Sequence, residues 1–289
     1  MISLDAILKR TKQIPSLSSS ALRLASLVKD PGSTAAQFET VIKPDAALTV
    51  NLLKIANSAY FGFSREVTSV KQAVSLIGLR QTCDFAMGML FGRVVPERIP
   101  GYELKARDFW MHSIATGVLA ERICLDLHLQ VAEVPFTAGL LHDIGKLVIG
   151  NYLAESAGQI SIRLEDPSKD FLAVERELLG VDHATVGATV AEVWHIPEAL
   201  AHVCRGHHHP GEVPRSPHLP LVEAVHIANL LAHATGYGAD VGGMARSFDE
   251  EILNRHGLSA SKLEEITCQC VEKIEGMGQA LLAAAGVKA

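Results

Sequence analysis

Apolar residues recur every three or four positions along the first hundred residues and rarely alternate, the spacing of helices that each bury one face. Leu17, Ala21, Leu24, Ala25 and Val28 mark a first helix, stopped by Asp30-Pro31-Gly32-Ser33. Ser33 or Thr34 is placed to cap the next, which ends before Pro44. Ala47, Leu48, Leu52, Ile55 and Ala56 line another, closed by Asn57-Ser58 and Gly62. Thr68 or Ser69 caps a longer helix through Val70, Val74, Ile77 and Phe85. Pro96, Pro100 and Gly101 then form the clearest internal boundary.

Beyond it the pattern predicts a helix from about Asp108 to Leu127, with Trp110, Ile114, Val118 and Leu119 on its apolar face. Pro135 suits a first helical turn and leads into Phe136–Tyr152. Helices are expected from about Phe171 to Leu179, broken by Gly180, over His183–Trp194, and from Pro197 to about Gly206. Pro210, Pro214, Pro217 and Pro220 mark a loop, Leu221–Thr235 a further helix, and Gly236–Gly243 another loop. Helical spacing returns, more weakly, from Leu258 to Leu282. No repeat and no long strand-period segment occurs, so the expected fold class is all-α, divided into residues 1–100 and 101–289.

Composition sharpens this picture. Hydrophobic residues make up 48% of the 289, and charged residues 20%, a balance that excludes intrinsic disorder. Aromatics are only 5%, so the core is built from Leu, Ala, Val and Ile, which suits packed helices better than a sandwich. The net charge is −6 and no Lys/Arg-rich run occurs, so charge gives no support to nucleic-acid binding. Five scattered cysteines do not resemble a disulfide framework, and Cys268 and Cys270 are too close for a zinc-knuckle pair. The opening MISLDAILKRTKQ does not read as a secretory signal, and no run approaches a membrane span. A cytoplasmic protein without membrane contact is expected.

Histidine is in surplus and unevenly placed. Of 13, only His112 and His128 precede position 142, and four lie between His202 and His209. The sharpest local feature is Gly139-Leu140-Leu141-His142-Asp143-Ile144-Gly145-Lys146. Within one helix, His142 and Asp143 would point about 100° apart and edge one cavity, with Lys146 on the face of His142. Imidazole, carboxylate and ammonium together can hold a divalent metal and meet a phosphate. For a lone His-Asp pair an ordinary helix end, with Asp143 and Lys146 solvated, would be the better reading.

The pair is not alone. His112 sits on a strongly apolar helix, where a buried imidazole needs a partner. His183 opens a helix after Asp182, and His207 and His208 follow the Pro197 helix. Each alone reads as structural, but together with His142 and Asp143 they form a nitrogen- and oxygen-rich set suited to iron, manganese, zinc or nickel. The run His207-His208-His209 also reads as a solvated polar loop with only one of the three ordered, and His128, His195, His202, His218, His226, His233 and His256 read as surface or satisfied residues.

These residues resemble a known family. Ile14-Pro15-Ser16-Leu17, Lys43-Pro44-Asp45-Ala46-Ala47-Leu48-Thr49, Leu52-Leu53-Lys54-Ile55-Ala56-Asn57-Ser58-Ala59, Val67-Thr68-Ser69-Val70 with Ala73-Val74, and Leu76-Ile77-Gly78 are similar to the HDOD family, the HD-related output domains of bacterial signalling proteins. His142-Asp143-Ile144-Gly145-Lys146, Asp182-His183-Ala184-Thr185-Val186-Gly187, Trp194-His195-Ile196-Pro197 and His207-His208 continue the likeness, which spans roughly residues 10 to 235. The resemblance implies an N-terminal helical bundle packed on a core similar to HD-type metal phosphohydrolases. It assigns His112, His142, Asp143, His183, His207 and His208 as ligands of one or two divalent ions. Asp143 would be the bridging carboxylate, and Lys146 the lysine that approaches phosphate.

Two departures from the hydrolase pattern stand out. Those enzymes end with an aspartate in an Ala-Asp helix motif, whereas Ala228 is followed here by Asn229. A neutral amide replaces a carboxylate poorly, which argues against a fully neutralised binuclear site. His209-Pro210-Gly211-Glu212 stands where cyclic di-GMP phosphodiesterases carry Gly-Tyr-Pro. The expected function is therefore a regulatory signalling module that acts through protein partners; no attached receiver or sensor domain fits this length, so it would act as a stand-alone subunit or with a partner in trans. A metal-dependent phosphohydrolase or phosphodiesterase is the alternative, and a nucleotide or phosphate-ester sensor without turnover a third reading.

Overall fold

A computed structural model of the chain describes residues 19–285, apart from 130, 132, 133, 165, 167, 168, 214, 215 and 239–247. The Ile14–Leu17 motif, Pro214 and most of the Gly236–Gly243 loop therefore lie outside the described residues. The regular structure of the described residues is helical, except for two antiparallel two-residue strands, Arg98–Ile99 and Leu104–Lys105, which pair Ile99 with Leu104. The all-α expectation holds, and these strands fold the Pro96–Gly101 boundary into a tight corner.

Before that corner come Ser19–Lys29 (α1), Ala35–Ile42 (α2), Ala46–Ala56 (α3), Val70–Ile77 (α4) and Leu79–Gly92 (α5), which pack on one another. Local chemistry sets their ends. Thr34 caps α2 in a reciprocal capping box with Gln37. Asp45 caps α3 by accepting from the Leu48 N–H at 2.8 Å, and its carboxylate also takes Arg93 at 2.6 and 3.1 Å. The Asn57 side chain acts like a strand partner. Its amide donates to Val67 O at 2.8 Å and its carbonyl accepts from Val67 N at 2.8 Å, closing the loop between α3 and α4. The single helix expected from Val70 to Phe85 is in fact two, because Gly78 turns the chain at φ +92°, where a side chain would be strained.

After the corner, Ala106–Asp126 (α6) is buried along most of its length. Pro135–Leu141 (α7) and Leu219–Ala234 (α13) pack along it. Gly145–Ala154 (α8), Phe171–Leu179 (α10), His183–Val193 (α11) and Glu198–Gly206 (α12) complete the layer around the site. Ala157–Leu164 (α9) and Glu250–His256 (α14) had no counterpart in the sequence pattern. The last helix, Ala260–Ala285 (α15), packs on α3, α5 and α6, so it joins the two halves of the chain. No helix among the described residues is long and apolar enough to cross a membrane.

The one helix expected over Phe136–Tyr152 is corrected to two, α7 and α8, joined by a turn at residues 142–144. His142 and Ile144 keep right-handed dihedrals. The bonds there tighten to three-residue closures, Ile144 N to Leu141 O at 3.0 Å and Lys146 N to Asp143 O at 2.9 Å. This tighter winding redirects the chain at the residues that carry the chemistry.

Candidate metal centre

Backbone crossings bring the histidines together. A Cβ on Gly139 of α7 would lie 2.6 Å from Gly117 Cα, so α6 and α7 touch backbone to backbone and His112 reaches His142. A Cβ on Gly145 would lie 1.9 Å from His183 O, so the start of α8 presses on the start of α11. That contact sets Asp143 against His183. Gly180 at φ +81° ends α10, and Asp182 caps α11 by accepting from Thr185 N at 2.7 Å. The short connection returns His183 to the Glu175 side chain of α10.

Asp143 is the hub of the resulting cluster. Its Oδ1 lies 3.3 Å from His183 Nε2 and 3.4 Å from His207 Nε2. Its Oδ2 lies 3.4 Å from His142 Nε2, 3.7 Å from His112 Nε2, and 2.7 Å from the Lys146 ammonium that donates to it. His208 adds its Nε2 at 3.0 Å from that of His183. Two ligand groups thus share one carboxylate: His183, His207 and His208 with Asp143, and His112 and His142 with Asp143. All six residues expected as ligands are brought together. Solvated Asp143 and Lys146 side chains are excluded, since the residues are 2% and 1% exposed. Lys146 does not share a helical face with His142 as the pattern suggested; the turn at 142–144 swings it onto Asp143.

The ring orientations are held from behind. His142 Nδ1 faces Gly139 O at 2.6 Å, His207 Nδ1 faces Cys204 O at 2.9 Å, and His112 Nδ1 faces Tyr237 O at 3.0 Å. A carbonyl only accepts, so each Nδ1 carries the hydrogen and each Nε2 presents its lone pair inward. His183 is held by a carboxylate instead: its Nδ1 lies 2.8 and 2.9 Å from the Glu175 oxygens, and its backbone N–H donates to Glu175 at 2.7 Å. Tyr102 donates its hydroxyl to the same carboxylate and stacks on Phe171.

Burial and charge then divide the groups. Burial lowers His207 to about 3, and burial with neighbouring His233 and His142 holds His112 well below the usual imidazole range. His183 goes the other way: burial opposes its charge, but Glu175 and Asp143 outweigh it and raise it to about 9. Asp143 stays ionised, because Lys146 and His142 overcome the cost of burial. Asp143 and Glu175 thus hold the His183 ring from its two nitrogens, while Lys146 faces Asp143 from the other side.

Buried atoms left without partners show that a divalent ion fits. Asp143 Oδ1 and His207 Nε2 have no hydrogen-bond partner, an arrangement that costs roughly 1–3 kcal/mol per group in an uncompensated interior. Imidazole nitrogens with one or two carboxylate oxygens are the donor set of first-row divalent metals.

Helix α13 crosses the cluster with His226, Asn229 and His233 on one face, at three- and four-residue spacing. His226 Nδ1 reaches His207 O at 2.7 Å, and the His233 ring lies 4.5 Å from that of His112. Asn229 lies between these ends, buried, with its Oδ1 unpartnered. A cleft lined by Leu104, Phe109, His112, Asp143, Lys146, His233 and Gly238 opens beside the Lys146 end of the cluster. Sequence reasoning missed Glu175, Tyr102 and Tyr237, none of which carries a local signal, and it also missed His226 and His233. For His226 and His233, their spacing around Asn229 was the available clue.

Comparison with known proteins agrees with this architecture. A protein from Shewanella amazonensis SB2B, provisionally described as a phosphohydrolase, is 25% identical, with 96% of this chain and 98% of that one covered at TM-score 0.71. One from Marinobacter aquaeolei VT8, provisionally described as a signal transduction protein, is 20% identical at TM-score 0.72, covering 98% of this chain and 64% of that one. An uncharacterized protein of Treponema pallidum (strain Nichols) is 26% identical over 226 residues, 78% of this chain but 43% of that protein. The chain spans less than half of that relative's length. The HDOD domain model matches residues 14–210, a stretch that holds every candidate ligand of the cluster, and the chain belongs to the HDOD family.

Proposed function

We propose that this chain is a regulatory module of bacterial signal transduction that acts on a protein partner and has kept a divalent-metal site. The observation that carries this reading is Asn229. It sits buried between His226 and His233 on the helix face that crosses the cluster, and it is neutral where a hydrolase of this type places a carboxylate. The ligand set can hold an ion but offers less negative charge to neutralise it. The description of the Marinobacter protein points the same way. In this reading the bundle before Pro96–Gly101 and the metal-bearing half after it are the two working parts, and the protein resides in the cytoplasm.

Asp143, His183, His207 and His208 would hold one ion, with His112 and His142 available to a second on the other carboxylate oxygen. Iron, manganese, zinc and nickel all suit these donors. Such an ion supplies Lewis-acid polarisation of a phosphoryl oxygen. The chain's own residues supply the rest: carbonyls and Glu175 fix the imidazoles, and Leu104 and Phe109 wall the cleft. Lys146 presents a buried positive charge to an entering phosphate.

The ligand set itself favours a second reading, a metal-dependent phosphohydrolase or phosphodiesterase, in which Asp143 would serve both ligand groups and Lys146 would offset phosphate charge. The Shewanella protein's description supports it. The test is the full-length chain, loaded with Mn2+, Zn2+ or Fe2+, assayed on bis-p-nitrophenyl phosphate and on nucleotides. Bound metal without turnover supports the regulatory module. Turnover that disappears in Asp143→Ala overturns it in favour of the enzyme. Nucleotide-induced thermal stabilisation without product identifies a sensor instead.

A further inference from the structure

Of His112, His142, His183 and His207, His112 is the one whose orienting partner comes from a loop rather than from its own helix or a neighbouring carboxylate. The loop is Gly236-Tyr237-Gly238, and its carbonyl at Tyr237 lies 3.0 Å from His112 Nδ1. Both glycines have positive φ, +84° and +101°, so the backbone itself fixes little. The approach is close: a Cβ on Gly238 would lie 2.6 Å from His112 Nδ1. Among the described residues, besides the His112 contact, four bonds anchor the loop: Gly236 N–H to His233 O at 3.1 Å, Tyr237 N–H to Ala232 O at 2.9 Å, His233 Nδ1 to Gly238 O at 3.0 Å, and the Tyr237 hydroxyl to Glu275 Oε1 at 2.5 Å. Of these four, only the last reaches an element other than α13.

Glu275 lies on α15 beside two close contacts of that helix. At the next residue, a Cβ on Gly276 would lie 2.6 Å from the Tyr60 ring, and one on Gly278 would lie 2.5 Å from Met111 Sδ. Met111 is the residue before His112. One turn of α15 therefore touches the N-terminal bundle, the helix that carries His112, and the loop that orients it. Burial, with Glu275, pushes the Tyr237 phenol up to about 12, so it remains a donor at any assay pH.

We propose that Tyr237, clamped by Glu275 of the C-terminal helix, is a positioning residue for His112, so that this one contact with α15 sets how well the site holds its ion. This rests on the metal-site reading above. The Tyr237–Glu275 contact and ion binding at His112 then favour one another reciprocally.

The test uses the full chain and titrates Mn2+, with Zn2+ in parallel, by calorimetry into wild type, Tyr237→Phe, Glu275→Gln and the double variant. Both single variants are expected to bind about tenfold more weakly, the lower end for loss of an orienting partner. Ion-free melting temperatures should match wild type, and the double variant should bind no more weakly than either single one. Lys262→Ala, which removes a different tie from α15 to α6 at Asp126, should leave affinity unchanged. Nitrogen-15 spectra of the ion-free chain should show His112 as the Nδ1–H tautomer in wild type and a mixture in Tyr237→Phe. Unchanged affinity and tautomer in the variants overturn this inference alone, as does equal weakening by Lys262→Ala. A wild-type chain that takes up neither ion overturns it together with the metal-site reading.

Discussion

Asp143 Oδ1 lies 3.4 Å from His207 Nε2, and neither atom has a hydrogen-bond partner although both are buried. A carboxylate oxygen and an imidazole lone pair facing each other repel unless a cation lies between them, and His207 is kept neutral by burial. Saturation of this pair by an ion at a hundred times its dissociation constant adds about 2.7 kcal/mol of stability. For a chain of this size that raises the melting temperature by several degrees, at about 2–4 °C per kcal/mol. His207→Ala should lose the shift, as read by melting curves with and without Mn2+.

Lys146 sits in the same interior with its ammonium 2.7 Å from Asp143 Oδ2. Asp143→Asn removes the opposing charge and should cost about 3–5 kcal/mol, the expense of breaking a buried pair. Lys146→Met in the same chain should restore much of that loss, because it removes the stranded charge. Urea unfolding of the two variants measures the difference, and equal destabilisation of single and double variants would show that the pair is not coupled.

Glu175 receives the His183 ring, its backbone N–H and the Tyr102 hydroxyl. Glu175→Gln keeps the shape but loses the charge that orients His183. Metal affinity should fall by about 10- to 100-fold, while Tyr102→Phe, which leaves the Glu175–His183 contact intact, should cost less. Titration of both variants with one metal ranks them.

Asn229 offers a gain rather than a loss. Asn229→Asp places a carboxylate on the helix face that crosses the cluster, so metal stoichiometry and affinity should rise. Elemental analysis after dialysis checks this. Unchanged occupancy would mean that the side chain does not reach the ion.

Asp84 gives a pH signature far from the metal cluster. Burial, together with the Glu121 charge, pushes its carboxyl up to about 8, against the pull of Lys273 and Arg80. Those cations are committed to Glu121, with Lys273 at 2.6 Å and Arg80 at 3.5 Å. The folded chain then keeps a proton that the unfolded chain gives up near pH 4. Stability from this group is full below that pH and is lost as pH rises toward 8. Asp84→Asn should flatten the slope, adding at least about 1 kcal/mol at pH 8 and little at pH 4. Chemical denaturation at the two pH values reads it directly.

Most helices were legible because a one-sided apolar stripe and a cap residue act locally, as Thr34 and Asp182 do. The break at Gly78 was not, since a glycine within a helical pattern does not reveal the sign of its φ. His142 and Asp143 were visible as chemistry, but the turn that aims both of them depends on backbone crossings at Gly117–Gly139 and Gly145–His183. Those contacts join distant segments. Glu175 was invisible for the same reason: on its own helix it is one polar residue among several, and only the fold brings Tyr102 and His183 onto it. His233 and Tyr237 acquire roles through His112, more than a hundred residues earlier in the chain.

The central claim is that Asp143 and the histidines around it bind a divalent ion. Anomalous diffraction from crystals of the full chain grown with Mn2+ tests it most directly. The account predicts an anomalous peak bounded by Asp143, His183, His207 and His208 that disappears in His207→Ala crystals. Well-ordered side chains with no anomalous peak among them, at saturating Mn2+, would contradict it.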